Sequence, residues 1–163
     1  MDGYALTLGD IALRSALALL CGAVIGLNRD LHHKGAGLRT FSLVALGTAG
    51  ITMGMLMSVQ PHPDNVGRVA QGVLTGIGFL GAGVILRGPD GVHVTGLTTA
   101  AAIWFVAGLA LLCGLGHVVL VAVLLGLALL VLVAGGALER AIERICGADP
   151  RDPPGSGSRD GGE

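Results

Sequence analysis

The sequence predicts an all-α fold, a polytopic transmembrane bundle of five helices with its amino-terminus outside and its carboxy-terminus in the cytoplasm. The first indication is composition: of 163 residues, 52% are hydrophobic and 13% are charged, against about 25% charged in soluble domains. The second is the run from Val69 to Arg87, which is apolar enough to cross a bilayer although it contains five glycines. Within lipid a backbone must satisfy its own hydrogen bonds, so such a run must be helical.

Charges and clusters of glycine and proline divide the chain into spans, because a bilayer core of about 30 Å needs about 20 helical residues. This division gives an outer amino-terminal segment at 1–10, a transmembrane domain at 11–138 and a short, charged, disordered cytoplasmic tail at 139–163. The predicted spans are residues 11–27, 40–57, 69–86, 96–112 and 117–138.

The span ends follow from particular residues. The first span follows Asp10 and ends before Asn28; a cleaved signal is disfavoured because its leader is acidic and no A-x-A site precedes Asn28. The fourth and fifth spans have no charge between Asp90 and Glu139, a stretch of about 70 Å as helix, which is enough to cross twice. The break is expected in the glycine-rich segment 113–117.

Orientation follows from the basic residues. The loop after the first span holds Arg29, Lys34 and Arg39, the loop after the third begins with Arg87, and the tail holds four more arginines. Because cytoplasmic loops carry an excess of Lys and Arg, these regions are expected on the cytoplasmic side.

Residues 76–81 spell G-x-G-x-x-G, which resembles a dinucleotide-binding fingerprint. That fingerprint requires a preceding strand and a soluble βαβ unit, whereas these glycines have apolar neighbours at membrane depth, so helix packing is the favoured interpretation. Glycines spaced by four and seven residues give one smooth face, and two others give a second. The predicted packing glycines are Gly72, Gly76, Gly78, Gly81, Gly83 and, at the start of the fourth span, Gly96.

The first inner loop, residues 28–40, is the richest polar patch. It is either a basic anchor that attracts anionic headgroups or a specific site, and the residues leave both alternatives open. Local pairing of Asp30 with Arg39 is expected, since both flank helix ends on the same side.

Other chemistry has little support in the sequence. No span contains a central carboxylate, which argues against a proton-coupled carrier, and Thr98 and Thr99 are expected to bond to preceding carbonyls or to the third span. The cysteines are too scattered for a metal site, so neither metal nor other cofactor is expected. A net charge of −1 gives no basic field for nucleic acid, and no nucleophile or acid pair suggests an enzyme.

Four segments together resemble the MgtC/SapB family of bacterial inner-membrane proteins: AVIGLNRD, KGAGLRTFSLVALG, RVAQGVLTGIGFLGAGVILR and VTGLTTAAAIW. They occur in this order within residues 14 to 117. The chain departs from the family in having Asn28 where an acid is usual, although Asp30 retains the second acid, and in ending in a short tail where many members carry a soluble domain.

The resemblance implies a multi-pass protein of the bacterial inner membrane, linked to growth at low magnesium and, in some pathogens, to survival in host cells through restraint of the membrane ATP synthase. The expected activity is that of a non-enzymatic regulator in contact with a membrane partner, and homo-oligomers are possible; the alternative is a transporter or channel for Mg²⁺ or another cation. The residues expected to contact a partner or lipid headgroups are Arg29, Asp30, Arg39, Thr40, Arg68, Arg87 and Thr98.

Overall fold

A computed structural model describes residues 6–58, 63–87 and 94–145. They form five helices and one two-stranded hairpin. The elements are α1 (Leu8–Leu31), α2 (Leu38–Leu56), α3 (Pro63–Val84), β1 (Leu86–Arg87), β2 (Val94–Thr95), α4 (Leu97–Leu115) and α5 (Val118–Ile145). The all-helical membrane class predicted from composition is confirmed.

Helix α1 is longer at both ends than the predicted first span. It begins early because Thr7 and Asp10 form a capping box: the Thr7 hydroxyl accepts the Asp10 N–H at 3.1 Å, and the Asp10 carboxylate accepts the Thr7 N–H at 3.0 Å. It ends at Leu31, so Arg29 and Asp30 lie in its last turn and not in a loop.

Three helices, α1, α2 and α4, pack through small residues. A Cβ placed on Gly22 of α1 would lie 2.6 Å from the Phe41 carbonyl oxygen of α2, and one on Gly114 of α4 would lie 2.7 Å from Thr52 Cβ of α2. Both approaches require glycine, as in membrane bundles whose interfaces are built from small residues. Phe41 is fully buried among them.

Helix α3 starts earlier than predicted, at Pro63, so Asp64 and Arg68 lie within the helix and not in a loop. It also ends at Val84, because residues 86–87 pair as a strand with 94–95. The predicted span 69–86 therefore keeps 16 helical residues, 69–84, about 24 Å against the ~30 Å bilayer core.

Four of the described helices are long and apolar enough to cross a membrane: α1, α2, α4 and the Val118–Gly136 part of α5. Helix α3 does not meet that criterion among the described residues. The five-span count stays a prediction.

The turn between α4 and α5 falls where the sequence predicts a break. Gly116 has φ +87°, in the left-handed region that favours glycine, and it ends α4. Arg14 of α1 donates from Nη1 to the Gly114 carbonyl at 2.6 Å, so its side chain binds the end of α4.

Helix α5 continues to Ile145, beyond the predicted end of the fifth span at Leu138. The charged segment after Leu138 thus begins as helix up to residue 145, and the remainder of the predicted tail lies outside the described residues. Contacts within the chain divide it into two units, Met1–Leu127 and Ala128–Glu163.

Candidate functional site

Among the side chains whose burial the structure describes, Arg29 is the charged one that lies inside the bundle. Its side chain is 5% exposed, and its Nη2 donates to Thr99 Oγ1 at 3.1 Å. Thr99 belongs to the first turn of α4 and is 2% exposed. The carboxyl end of α1 and the amino end of α4 therefore meet through this hydrogen bond.

The guanidinium of Arg29 is only partly satisfied. It carries five N–H groups, and its Nε is buried without a hydrogen-bond partner. Among the described residues Thr99 supplies its one side-chain acceptor and no carboxylate pairs with it. The Oδ1 of neighbouring Asn28 is likewise buried without a partner. Buried charges are normally paired, because an unpaired one is costly to remove from water.

Asp30 serves the neighbouring helix. Its Oδ2 accepts the backbone N–H of Leu38, the first residue of α2, at 2.8 Å. Gly37 lies so close to this carboxylate that a Cβ there would collide with it. The expected pairing of Asp30 with Arg39 is wrong for the described residues: the carboxylate instead binds an unsatisfied N–H of a helix start, where its charge is favourable.

Four of the remaining predicted contact residues are exposed at the surface. Arg39 and Thr40 are exposed in the first turn of α2, Arg68 is exposed on α3, and Thr98 is exposed beside buried Thr99. Arg87 lies in β1, opposite Val94. The structure therefore places Arg29 and Thr99 together and leaves Arg39, Thr40, Arg68 and Thr98 outside their contact.

The glycines of α3 do not pack the helices of this chain together as densely as their number suggests. A Cβ on Gly72, Gly76, Gly78 or Gly83 would meet nothing within 4 Å, and one on Gly81 would be in ordinary contact with Ala100 of α4. Gly72, Gly76 and Gly83, which share one side of the helix, therefore form an open face.

Gly96 packs closely, for a backbone reason. It has φ +91° and precedes α4, and a Cβ there would collide with the Val84 carbonyl at the end of α3. Only glycine fits both the left-handed conformation and this approach.

Sequence reasoning missed the glycines that pack closely within α1. Gly22 and Gly26 are four residues apart, the spacing of a helix-packing motif, and both lie against α2. That spacing was a usable signal. The sequence signal for the role of Thr99 is weaker, because Thr98 and Thr99 are adjacent and only the fold shows which of the two faces inward.

Comparison with known proteins places this arrangement in a family. Protein MgtC of Salmonella typhimurium is 50% identical over 100 residues, which cover 61% of this chain and 41% of that protein. Protein SrpB of Synechococcus elongatus is 44% identical over 119 residues, 65% of this chain and 64% of its own. Protein MgtC of Brucella abortus is 44% identical over 102 residues, 62% and 41% respectively.

The chain spans about two fifths of the length of the Salmonella and Brucella relatives, 41% in each case. No solved structure matches it. The model of the MgtC family matches residues 16–141, which include all five helices except the first turns of α1 and the last of α5. The chain belongs to the MgtC family.

Proposed function

We propose that this protein is a non-enzymatic regulator of the bacterial inner membrane, linked to growth at low magnesium, which acts by helix-to-helix contact with another membrane complex. The membrane ATP synthase is the proposed partner, and a second copy of the chain is a further one. Five spans, with the amino-terminus outside and the carboxy-terminus in the cytoplasm, are proposed for its topology.

Contacts at the helix ends support a topology in which successive helices cross the membrane in opposite directions. Arg14 and Arg29 of α1 bind Gly114 and Thr99 of α4, so these two helices run antiparallel. The β1–β2 hairpin joins the end of α3 to the start of α4. The basic residues near Arg29 favour a cytoplasmic position for the carboxyl end of α1. With that end in the cytoplasm, successive helices start on alternate sides of the membrane.

The open glycine face of α3 is the observation on which the regulator proposal rests. A Cβ added to Gly72 or to Gly76, four residues apart, would meet nothing within 4 Å, and neither would one on Gly83, seven residues further on. Such a face admits close approach of another helix backbone. Phe79 is 84% exposed on the same helix and supplies an apolar anchor.

The short apolar part of α3 also supports contact with another helix. A hydrophobic stretch shorter than the bilayer core costs a fraction of a kcal/mol per Å of mismatch, and association with other helices is one way in which that cost is lowered. Although α3 has 22 residues, its apolar part after Arg68 contains only residues 69–84. These span about 24 Å, so the apolar part has such a deficit relative to the ~30 Å core.

Gly76→Leu is expected to abolish co-purification of the membrane partner while leaving insertion unchanged, because the larger side chain blocks close approach. The matched control is Gly126→Leu on α5, which also has nothing within 4 Å of a Cβ. The measurement is recovery of ATP synthase subunits with the tagged protein from solubilised membranes. Unchanged recovery with Gly76→Leu, or equal loss with both variants, contradicts the proposed surface.

Cation transport is the alternative. Its path would pass the buried polar side chains of the described residues, Arg29, Thr48, Thr52 and Thr99, where a guanidinium repels a cation. Regulation predicts no Mg²⁺ flux into proteoliposomes of the purified protein. Mg²⁺ flux above that of empty liposomes would show a transporter and contradict the regulator.

A further inference from the structure

We propose that the contact between Arg29 and the amino end of α4 is a binding site for a phosphate oxyanion. The site goes beyond the proposed regulatory contact and does not depend on it, since it lies on α1 and α4 and the docking face lies on α3.

Two groups of positive sign meet at this contact, the guanidinium of Arg29 and the amino end of α4. The amino end of an α-helix carries a partial positive charge, and acidic groups are favoured there. At α4 the group in place is a guanidinium, bound to Thr99 in the first turn. Two positive groups are thus brought together inside the protein, and no described carboxylate balances them.

The neighbouring helix shows the ordinary arrangement. At the start of α2 the carboxylate of Asp30 accepts the Leu38 N–H at 2.8 Å. At the start of α4 the N-cap is Gly96, and no side chain caps the helix. Both helix starts contact the last turn of α1. The start of α2 has an anion, and the start of α4 has none among the described residues.

Unused N–H donors at this contact also favour an anion. The Nε of Arg29 is buried without a partner, and the side chain is 5% exposed. In α4 the Ala100 N–H donates to the Gly96 carbonyl at 2.8 Å. The N–H groups of Leu97, Thr98 and Thr99 precede that bond and have no carbonyl in the helix.

A phosphate group fits these donors. Guanidinium groups bind phosphate oxygens through paired N–H groups, and helix starts bind them through backbone N–H groups. The first turn of α4 reaches the protein surface beside the site, because Leu97 is 59% exposed and Thr98 is also exposed. The phosphate comes either from free phosphate in solution or from the headgroup of an anionic lipid.

The test is thermal unfolding of the full chain in uncharged detergent, titrated with inorganic phosphate against chloride at equal ionic strength. A saturable rise of the unfolding midpoint with phosphate is expected, because a ligand that binds only the folded state stabilises it. The rise is expected to disappear in Arg29→Gln. It is expected to persist in Arg39→Gln, which removes an exposed arginine near the same helix ends.

A second variant covers the case in which Arg29→Gln does not fold. Arg29→Lys keeps the positive charge but removes Nε and the paired N–H geometry. The half-saturating phosphate concentration is then expected to rise at least about ten-fold, the loss of one charge-assisted hydrogen bond.

The lipid source is tested in nanodiscs of phosphatidylcholine with and without phosphatidylglycerol. A phosphatidylglycerol-dependent rise that needs Arg29 but not Arg39, with no response to free phosphate, assigns the site to a headgroup. The same dependence with free phosphate assigns it to a soluble oxyanion. No rise in either arm, or equal loss in the Arg29→Gln and Arg39→Gln variants, overturns the site.

Discussion

At the residue scale, the space beside each glycine separates those that pack the bundle from those that do not. Gly108 and Gly114 lie on the same helix, α4. A Cβ on Gly114 would lie 2.7 Å from Thr52 Cβ and 3.0 Å from the Ala49 carbonyl oxygen, whereas one on Gly108 would meet nothing within 4 Å. The sequence shows how many glycines a helix has but not which way each one faces. For this reason it predicts close packing for the glycine-rich α3, whereas the close packing is found at glycines of α1 and α4.

Substituting these two glycines should give opposite effects on the free energy of unfolding. Gly114→Ala is expected to lower it by about 1–3 kcal/mol, because the methyl group must displace α2. Gly108→Ala is expected to raise it by up to ~1 kcal/mol, because alanine favours the helix and meets no neighbour. Unfolding in mixed micelles of rising denaturing-detergent content, followed by Trp104 fluorescence, measures both. Equal changes in the two variants would contradict the packing of α4 against α2.

At the scale of elements, the number, order and type of the helices could be predicted, because apolar length and charge placement determine them. The break between α4 and α5 could also be predicted, from the glycines around Gly116. The ends were harder where polar residues extend a helix. Thr7 and Asp10 lengthen α1 through their reciprocal cap, and Asp64 favours the first turn of α3.

The hairpin was missed for a different reason. Leu86 continues the apolar pattern of α3, and Arg87 after it gives no local signal for a strand. Their conformation depends on pairing with Val94 and Thr95, seven to nine residues later in the chain. The burial of Arg29 was equally hidden, since a basic residue at a span end ordinarily extends toward water. Only the placement of Thr99 opposite it shows that this arginine remains inside.

At the scale of the whole molecule, the question with the largest consequence is whether α3 crosses the bilayer. Positive-inside charge placement and the antiparallel contact of α1 with α4 favour crossing. The short apolar part of α3 argues for a span that needs neighbours or a locally thinned bilayer. A crossing helix with a short apolar part fits an α3 whose open face is covered by another protein. If α3 instead lay at one surface of the membrane, the proposed docking would lose its basis.

Labelling of single cysteines distinguishes the two arrangements. Met57→Cys precedes α3, Leu97→Cys follows it, and both positions are exposed. If α3 crosses, a membrane-impermeant maleimide applied to intact spheroplasts should label Met57→Cys, and it should label Leu97→Cys only after lysis. Native Cys21 and Cys113 are fully buried and provide little background, and Cys146→Ser removes the third thiol.

His117→Cys in the α4–α5 turn is the matched control, expected to react from outside like Met57→Cys. Labelling of both Met57→Cys and Leu97→Cys in intact spheroplasts would mean that α3 does not cross. The partner surface would then have to be sought on the four helices that are long and apolar enough to span. Opposite accessibility of the two positions instead gives α3 a transmembrane course, and its open glycines then face lipid or another helix at membrane depth, where a missing side chain favours close helix contact.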